Sequence, residues 1–284
     1  MTEASPPSRD IRRRTLSQNF LTSQRFVDEF IAAADLESTD LVVEVGAGSG
    51  SLTPAIAARC SHLTAYEVDR SWASRLVKSV ADLPNVELIY GDFLNAQPPD
   101  ESFKLVGNVP FGKTSSIVDW ALSAPTLRSA TLITQLEYAK KRTGAYGRWS
   151  RLTLMTWPEY SWEMRTTIPR HSFRPVPRVD AGVLHIERRP TPLIARQHIK
   201  SYQAMISLGF TGVGGSVYAS LSRQYPARRV GEALQRAGVG LDQVVAFVTP
   251  QQWLIVFEWL GPPERPITRD SSSRLRRGGA RQRR

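Results

Sequence analysis

Apolar residues follow two alternating patterns along the first half of the chain. One pattern is a short continuous apolar run, which is typical of a buried strand. The other places apolar residues at helical spacing. The runs lie at 41–45, 62–68, 86–92, 103–111 and 130–135, and the helical segments at 24–35, 51–60, 71–82 and 115–124. Strands that alternate with helices predict an α/β fold with a doubly wound, mainly parallel sheet.

The pattern changes after Gln135. A helix is predicted at 137–144. Strand-like alternation then follows at 151–157, 160–168 and 180–188. We expect these segments to be antiparallel strands that complete the sheet.

A break at Pro190 and Pro192 separates the sheet from a helical region. Helices are predicted at 195–208, 228–238 and 250–260, with a loop at 210–215. The expected organisation is a flexible arm at 1–13, an α/β domain at 14–190, a smaller all-helical domain at 193–262 and a disordered Arg-rich tail at 263–284.

Charge is distributed unevenly over the 284 residues, whose formal net charge is +11. Residues 15–127 hold seven Lys or Arg against fourteen Asp or Glu. The later segments reverse this balance, with ten against three at 128–178, eight against one at 188–238 and eight against one at 265–284. An acidic half followed by a strongly basic half indicates a polyanionic partner.

Composition excludes several classes of protein. The single Cys60 excludes an intramolecular disulfide and a cysteine-based metal cluster. The four histidines are scattered, at 62, 171, 185 and 198, so we expect no metal site. The longest apolar run is too short for a membrane span, and no apolar segment follows the basic N-terminal residues. We therefore expect a cytoplasmic protein without a membrane partner.

A glycine-rich turn carries the first chemical signal. Gly46, Gly48 and Gly50 follow a predicted buried strand and precede a helix, with Glu44 two residues ahead of them. Glycines let the backbone approach a ligand closely, and a helix N-terminus favours negative charge. The G-x-G-x-G spacing differs from the dinucleotide fingerprint. It favours a nucleoside ligand that lacks a pyrophosphate.

Acidic residues end the next two predicted strands. Glu67 is placed to accept hydrogen bonds from ribose hydroxyls. Asp92 can accept from an adenine amino group while Phe93 covers the ring. A helix cap or turn is the ordinary alternative for Asp92.

The tetrapeptide Asn108-Val109-Pro110-Phe111 follows the fourth predicted strand. It suits methylation of an exocyclic amine, whose lone pair is delocalised into the base. The Asn108 oxygen and a backbone carbonyl can accept both N–H bonds and turn the lone pair toward a methyl donor. Pro110 stiffens the turn, and Phe111 offers a face for a flipped base.

With Ser17-Gln18-Asn19-Phe20-Leu21 before the first helix, these motifs resemble the ribosomal RNA adenine N6-methyltransferases. Within them the chain resembles the erythromycin-resistance methylases of large-subunit rRNA, over about residues 14–262. The resemblance implies a Rossmann-like class I methyltransferase with a seven-stranded sheet and S-adenosylmethionine as cofactor. The implied cofactor site comprises Asn19, Leu21, Gly46, Gly48, Glu67, Val68, Asp92, Phe93 and Asn108.

The same resemblance implies catalytic roles for Asn108, Val109, Pro110, Phe111 and Phe173. Phe111 would stack the target adenine, and Phe173 in the segment 171–179 would form a second aromatic wall. Position 111 is Phe where many relatives carry Tyr, so stacking is retained while a role for a tyrosine hydroxyl is excluded.

The expected partner is 23S rRNA, as naked RNA or in a pre-ribosomal particle, and the expected state is a monomer. Basic side chains near the catalytic face and in the helical domain are the candidates for RNA binding, because Arg suits phosphate and base contacts. These candidates are Lys140, Lys141, Arg142, Arg148, Arg151, Arg170, Arg174, Arg178, Arg223, Arg228 and Arg229.

Three alternative functions remain open. The small-subunit rRNA dimethylases of ribosome biogenesis share the same motifs. A DNA adenine methyltransferase is disfavoured by the early position of QNFL and the basic helical domain. A catalytically retired RNA-binding protein is disfavoured by the intact glycine turn. The sequence leaves open whether one methyl group or two are added.

Overall fold

The computed structural model describes residues 19–262. The expected arm at 1–13 and tail at 263–284 lie outside this range. The chain divides into two compact units: the first runs to Arg196 and includes Ala246–Pro250, and the second takes Gln197–Val245 and the residues from Gln251 onward. The division thus lies after Arg196 rather than at the proline pair. Ala246 belongs with the first unit, where its carbonyl accepts from the Trp149 backbone N–H at 2.7 Å.

The first unit contains a seven-stranded sheet and a separate two-stranded pair. Its strands are β1 (Phe20–Leu21), β2 (Leu41–Val45), β3 (His62–Glu67), β4 (Val86–Tyr90), β5 (Phe103–Asn108), β6 (Leu127–Gln135), β7 (Tyr160–Ile168), β8 (Phe173–Arg174) and β9 (Ala181–Arg188). The large sheet has the order β4-β3-β2-β5-β6-β9-β7. Strands β2 to β6 are parallel, and β9 runs antiparallel to both β6 and β7. The predicted mainly parallel seven-stranded sheet is confirmed.

Helices cover both faces of this sheet. They are α1 (Gln24–Ala33), α2 (Thr53–Ala57), α3 (Ala73–Val80), α4 (Thr114–Ser123), α5 (Leu136–Arg142) and α6 (Arg151–Thr156). Buried side chains form one apolar cluster on each face. Because successive strand residues point to opposite faces, Val42 joins one cluster and Val43 the other.

The prediction of a strand at 151–157 was wrong, because residues Arg151–Thr156 form α6. The Ser150 hydroxyl caps this helix by accepting from the Thr153 backbone N–H at 3.2 Å. Thr153 and Leu154 are both buried, so adjacent positions face the core, as a helix allows and a half-buried strand does not. A short run of alternating residues fits both the helix period and the strand period. The helix-capping Ser150 was the sequence signal that would have distinguished the two.

The described residues of the second unit form helices, turns and loops. Its helices are α7 (Ile199–Gly209), α8 (Val217–Leu221), α9 (Ala227–Arg236) and α10 (Pro250–Leu260), of which α10 begins at the last residue of the first unit. Gly209 is required by close packing, because a Cβ there would lie 2.5 Å from the Trp253 ring. Among the helices that the structure describes, none has both the length and the apolar character that crossing a membrane requires.

Candidate active site

Four neighbouring strands, β4, β3, β2 and β5, end at one edge of the large sheet. Their register places Val45 beside Tyr66, and Glu67 beside Tyr90. The predicted motifs follow these strand ends directly, so residues distant in sequence meet at one edge. Ligands bind at the carboxyl ends of strands in such sheets.

A cavity of about 460 Å³ opens at this edge, within the size range of small-molecule sites. It is lined by Asn19, Phe20, Val45, Gly46, Gly48, Tyr66, Glu67, Val68, Gly91, Asp92, Phe93, Leu94, Asn108, Val109, Pro110, Gly112, Lys113 and Ile117. Leu21 is the one predicted cofactor residue outside this lining. Its side chain is buried in the core instead.

The glycine turn bends closely around the cavity. Gly46 has a φ of +75° and Gly48 a φ of +60°, a backbone region that glycine adopts readily. A Cβ on Gly48 would lie 2.5 Å from Cε1 of Phe20. The Phe20 ring also packs on Trp72 at a centroid distance of 4.5 Å. Glycine at position 48 therefore leaves room for the ring of Phe20.

Glu67 is buried, and backbone hydrogen bonds hold its carboxyl group. Oε2 accepts from the Gly48 N–H at 2.6 Å, and Oε1 accepts from the Asp69 N–H at 2.7 Å. Burial raises the pKa of Glu67, while these two hydrogen bonds act to lower it. Each carboxylate oxygen has a second lone pair. These lone pairs can accept hydrogen bonds from ribose hydroxyls, so the position of the Glu67 carboxyl group fits a nucleoside ligand.

Glu44 lies beneath the glycine turn rather than in the cavity lining. Its side chain is fully buried, and Oε2 has no hydrogen-bond partner among the described residues. Burial raises the pKa of Glu44 to about 7, and the neighbouring Glu67 charge acts in the same direction. The motif thus contains a carboxyl group that titrates near neutrality.

Asp92 lines the cavity and also caps a short turn. Its Oδ1 accepts from the Leu94 N–H at 3.0 Å at the start of the turn Phe93–Asn95. The Phe93 ring packs on Trp120 at a centroid distance of 4.3 Å, which fixes the apolar wall beside Asp92. The cap and the ligand contact are compatible, because the other carboxylate oxygen remains a hydrogen-bond acceptor.

Asn108 is oriented by the segment before α1. Its amide nitrogen donates to the Asn19 carbonyl at 2.6 Å. Because the nitrogen is engaged there, the side-chain oxygen is the atom that can accept from a substrate amine. The Val109 N–H donates to the Ile133 carbonyl at 3.3 Å, which ties the turn to β6.

Neither of the two predicted aromatic walls is among the residues that line the cavity. Phe111 is half-buried between the lining residues Pro110 and Gly112. Phe173 has an exposed fraction of 0% and belongs to the core cluster that contains Leu21. Phe173 is a neighbour of Leu21 because β1 pairs with β8, and this pairing places Leu21 opposite Phe173. The prediction that the Phe173 ring walls the base site does not agree with this position, since a fully buried ring offers no face for stacking.

A model of the ribosomal RNA adenine dimethylase family matches residues 9–261. The chain belongs to this family. It is therefore an S-adenosylmethionine-dependent methyltransferase. Two features of the cavity at the strand ends fit this cofactor: the glycine turn and the buried hydrogen-bond acceptor Glu67.

Individual relatives agree with this membership. An rRNA methyltransferase of Streptomyces thermotolerans is 50% identical over 251 residues, which are 88% of this chain and 84% of the relative. The crystal structure of the 23S rRNA methyltransferase ErmE is 48% identical, with a TM-score of 0.83 over 85% of this chain and 99% of that one. The mycinamicin-resistance protein MyrB of Micromonospora griseorubida is 33% identical over 227 residues, 80% of this chain and 72% of the relative.

Sequence reasoning missed several lining residues of this methyltransferase. Phe20 lines the cavity where Leu21 had been expected. Strand alternation was the available signal, because neighbouring residues of β1 point to opposite faces. Lys113 also lines the cavity, two residues beyond the tetrapeptide. Nothing in the sequence distinguished it from other exposed lysines.

The predicted RNA-binding residues differ in how far their side chains are exposed to solvent. In the first unit, Lys141, Arg148, Arg151, Arg170, Arg174 and Arg178 are exposed. Arg142 is half-buried, donates to the Ser150 hydroxyl at 2.9 Å and lies over the Tyr138 ring. Arg142 therefore supports the start of α6, and its assignment to RNA binding does not agree with these contacts.

The predicted cations of the second unit, Arg223, Arg228 and Arg229, are exposed. Arg228 pairs with Glu232 at 3.0 Å, and Arg229 donates to the carbonyls that end α10. Within residues 19–262, no group of three or more His, Cys, Asp or Glu side chains is placed to hold a metal ion.

Proposed function

We propose that this methyltransferase transfers a methyl group from S-adenosylmethionine to N6 of one adenine in the peptidyl-transferase loop of 23S rRNA. The observation that carries the proposal is the orientation of Asn108, whose amide nitrogen is bound to the Asn19 carbonyl at the cavity. Similarity to ErmE, a 23S rRNA methyltransferase, supports the choice of the large-subunit RNA.

Asn108 prepares the amine for transfer. The N6 lone pair is delocalised into the adenine ring and is a poor nucleophile. Hydrogen bonds from N6 to the Asn108 oxygen and to a backbone carbonyl favour a tetrahedral nitrogen with a localised lone pair. The bound cofactor supplies a methyl group on a positively charged sulfur, which needs no further activation. The rest of the rate enhancement comes from positioning and preorganised acceptors.

Proton release follows from the same hydrogen bonds. As the N–C bond forms, N6 becomes positively charged and its N–H groups become stronger donors. The Asn108 oxygen stabilises this charge because it is fixed in place before the reaction. The proton then leaves to this oxygen, to the carbonyl or to water.

Phe111 holds the base in our proposal. It lies between two lining residues, Pro110 and Gly112, and its ring is only half-buried, so part of the ring is left for a flipped adenine. Phe173 supports this region from the core through the pairing of β1 and β8. The exposed cations of both units bind the phosphates of the RNA.

Drug resistance is the proposed consequence. A methylated N6 loses a hydrogen-bond donor and gains bulk, so a macrolide, lincosamide or streptogramin B antibiotic that docks there binds less well. The similarity to a mycinamicin-resistance protein supports this consequence. We further propose that the protein acts as a monomer in the cytoplasm, on naked RNA or on a pre-ribosomal particle.

The test uses labelled S-adenosylmethionine with protein-free large-subunit and small-subunit rRNA in separate reactions. The modified base is then mapped, and the number of methyl groups is read by mass spectrometry. We expect label on one adenine of the large-subunit peptidyl-transferase loop. Label near the 3′ end of small-subunit rRNA would instead assign the protein to the biogenesis dimethylases.

A further inference from the structure

Two exposed aromatic rings lie beside cations on the first unit. Tyr146 is 55% exposed and Phe247 is 40% exposed. The Lys140 Nζ lies 5.8 Å from the Tyr146 ring centroid, and the Arg148 Cζ lies 5.1 Å from the Phe247 centroid. We call these four residues the stacking surface. Its rings are large apolar groups left in water, each with a cation within cation–π distance.

The backbone that carries the stacking surface is anchored from beneath. A Cβ on Gly144 would lie 2.5 Å from the Trp149 ring, so the loop packs directly on that side chain. The Trp149 ring in turn packs on Trp157 at a centroid distance of 5.6 Å. The Trp149 N–H donates to the Ala246 carbonyl at 2.7 Å, which joins the segment of Phe247 to the loop of Tyr146. Both rings are therefore presented on a fixed support.

The charge along the segment that carries most of the stacking surface is predominantly positive, with Glu137 and Glu159 just beyond its two ends. Residues 138–158 contain five Lys or Arg and no Asp or Glu. Cations of this density attract a polyanion, and exposed aromatic rings interleaved with them provide faces for bases. An apolar protein partner would not favour cations beside both rings.

Chain connectivity places the stacking surface near the catalytic edge. Helix α5 begins at Leu136, directly after β6, and Ile133 of β6 lies beside Asn108 in the sheet. The helix has 7 residues, which span about 10 Å at a rise of roughly 1.5 Å per residue. The loop of Tyr146 begins where this helix ends. A helix of this length keeps the loop within reach of nucleotides that neighbour an adenine at Asn108.

We propose that Tyr146 and Phe247 stack on unpaired bases that flank the target adenine, while Lys140 and Arg148 contact the adjoining phosphates. This inference rests on the proposed function and specifies its substrate further: the RNA must present unpaired nucleotides beside the adenine. Bases inside a duplex hide both faces, so a fully paired flank cannot use the surface. Stacking is tolerant of sequence, because every base has a π-face.

The experiment measures the affinity of the full chain for two short RNAs by fluorescence anisotropy. Both contain the target adenine; in one the flank is unpaired, and in the other a complementary strand pairs it. Tyr146→Ala and Phe247→Ala should each weaken binding to the unpaired RNA by about fivefold to tenfold or more. Tyr146→Phe should bind as the wild type does, because it keeps the ring. Tyr146→Leu should resemble the alanine variant, because it keeps apolar area without a ring.

Salt dependence separates stacking from charge. Tyr146→Ala should leave the slope of log affinity against log salt unchanged. Arg148→Gln should reduce that slope by about 0.7 to 0.9, the value for one lost phosphate contact. The matched control is Val77→Ala, an exposed apolar residue of α3 in the acidic half of the chain, which should change neither quantity.

Equal affinity of the Tyr146 and Phe247 variants and the wild type for the unpaired RNA would overturn the inference. It would also be overturned if the paired RNA showed the same losses, or if the variants changed only the association state in sedimentation and so marked a protein contact. Methyl transfer by the wild type to the unpaired RNA is measured in parallel. If that reaction is absent while RNA binding persists, the proposed function fails and the stacking result can still be read separately.

Discussion

The cofactor cavity and the stacking surface are built in two different ways. The cavity brings together residues from Asn19 to Ile117, and the side chains of Glu67 and Asn108 are held by hydrogen bonds with the backbone. Most of the stacking surface comes from one continuous segment, 138–158; Tyr146 and Arg148 are exposed there, and Lys140 is half-buried. Removing the Asn108 side-chain oxygen leaves the cavity without the hydrogen-bond acceptor that we propose for the substrate amine. Removing one cation or ring from the surface leaves the others in place.

This contrast predicts effects of different size and kind. Changes at the cavity should be large and specific to one step. Changes at single exposed cations of the first unit should be small, additive and sensitive to salt.

The largest effect is expected for Asn108→Ala. Loss of the preorganised acceptor should lower the rate of methyl transfer by about 10²- to 10³-fold, as removal of one such group does in other enzymes. The measurement is single-turnover transfer from labelled S-adenosylmethionine, with folding checked by circular dichroism. Asn95→Ala, at an exposed asparagine outside the cavity lining, is the matched control and should keep full activity. Wild-type turnover by Asn108→Ala would contradict the mechanism.

The next effect concerns Glu44, whose folded-state pKa of about 7 lies above the ordinary value of 4.5. The folded protein therefore holds this proton more tightly, and the carboxylate lowers the free energy of unfolding above neutral pH. Glu44→Gln mimics the neutral form, so it should be more stable than the wild type near pH 8, by up to roughly 3 kcal/mol.

That advantage should shrink as the pH falls toward about 5, where Glu44 is protonated in the folded wild type. Denaturant unfolding at several pH values, without cofactor, measures the difference between variant and wild type. Glu101→Gln, at an exposed carboxylate, is the control. A stability difference that does not change with pH would refute the assignment of a neutral Glu44.

A smaller effect is expected for Gly48→Ala. The positive φ costs an alanine about 1 to 2 kcal/mol, and the new Cβ must displace the Phe20 ring. We expect cofactor affinity, measured by calorimetry, to fall by about tenfold. Gly231→Ala in α9 has open space around it and should leave the affinity unchanged. Undiminished affinity of Gly48→Ala would show that the turn tolerates a side chain when the cofactor binds.

The smallest effects are expected for single exposed cations of the first unit that are predicted to bind RNA. Lys141→Gln and Arg178→Gln should each weaken RNA binding only a few-fold, and the double variant should show the sum of the two free-energy changes. Each should reduce the salt slope by about 0.7 to 0.9. Lys78→Gln, in the acidic half, is the control. Strong coupling between Lys141 and Arg178 would mean that the two cations bind the RNA as one site of fixed geometry.

Sequence patterns predicted most of the fold and most of the cavity. The alternation of apolar runs and helical segments gave the parallel strands, and the motifs at their ends gave Gly46, Glu67, Asp92 and Asn108. These predictions were wrong where a local pattern was compatible with two different structures or roles. The alternating residues of 151–157 fit a strand, yet the Ser150 cap makes them a helix. Arg142 has the charge of an RNA contact, yet it packs over Tyr138.

What the sequence determined by itself is the set of chemical groups and the succession of strands and helices that carries them, because both depend on local periodicity and on short motifs at strand ends. The tertiary structure decided which groups face the cavity and which face the core. It placed Phe173 inside, turned the Asn108 nitrogen to Asn19 and brought Phe247 beside Arg148. These outcomes depend on packing between segments far apart in the chain, and local pattern carries no information about such contacts.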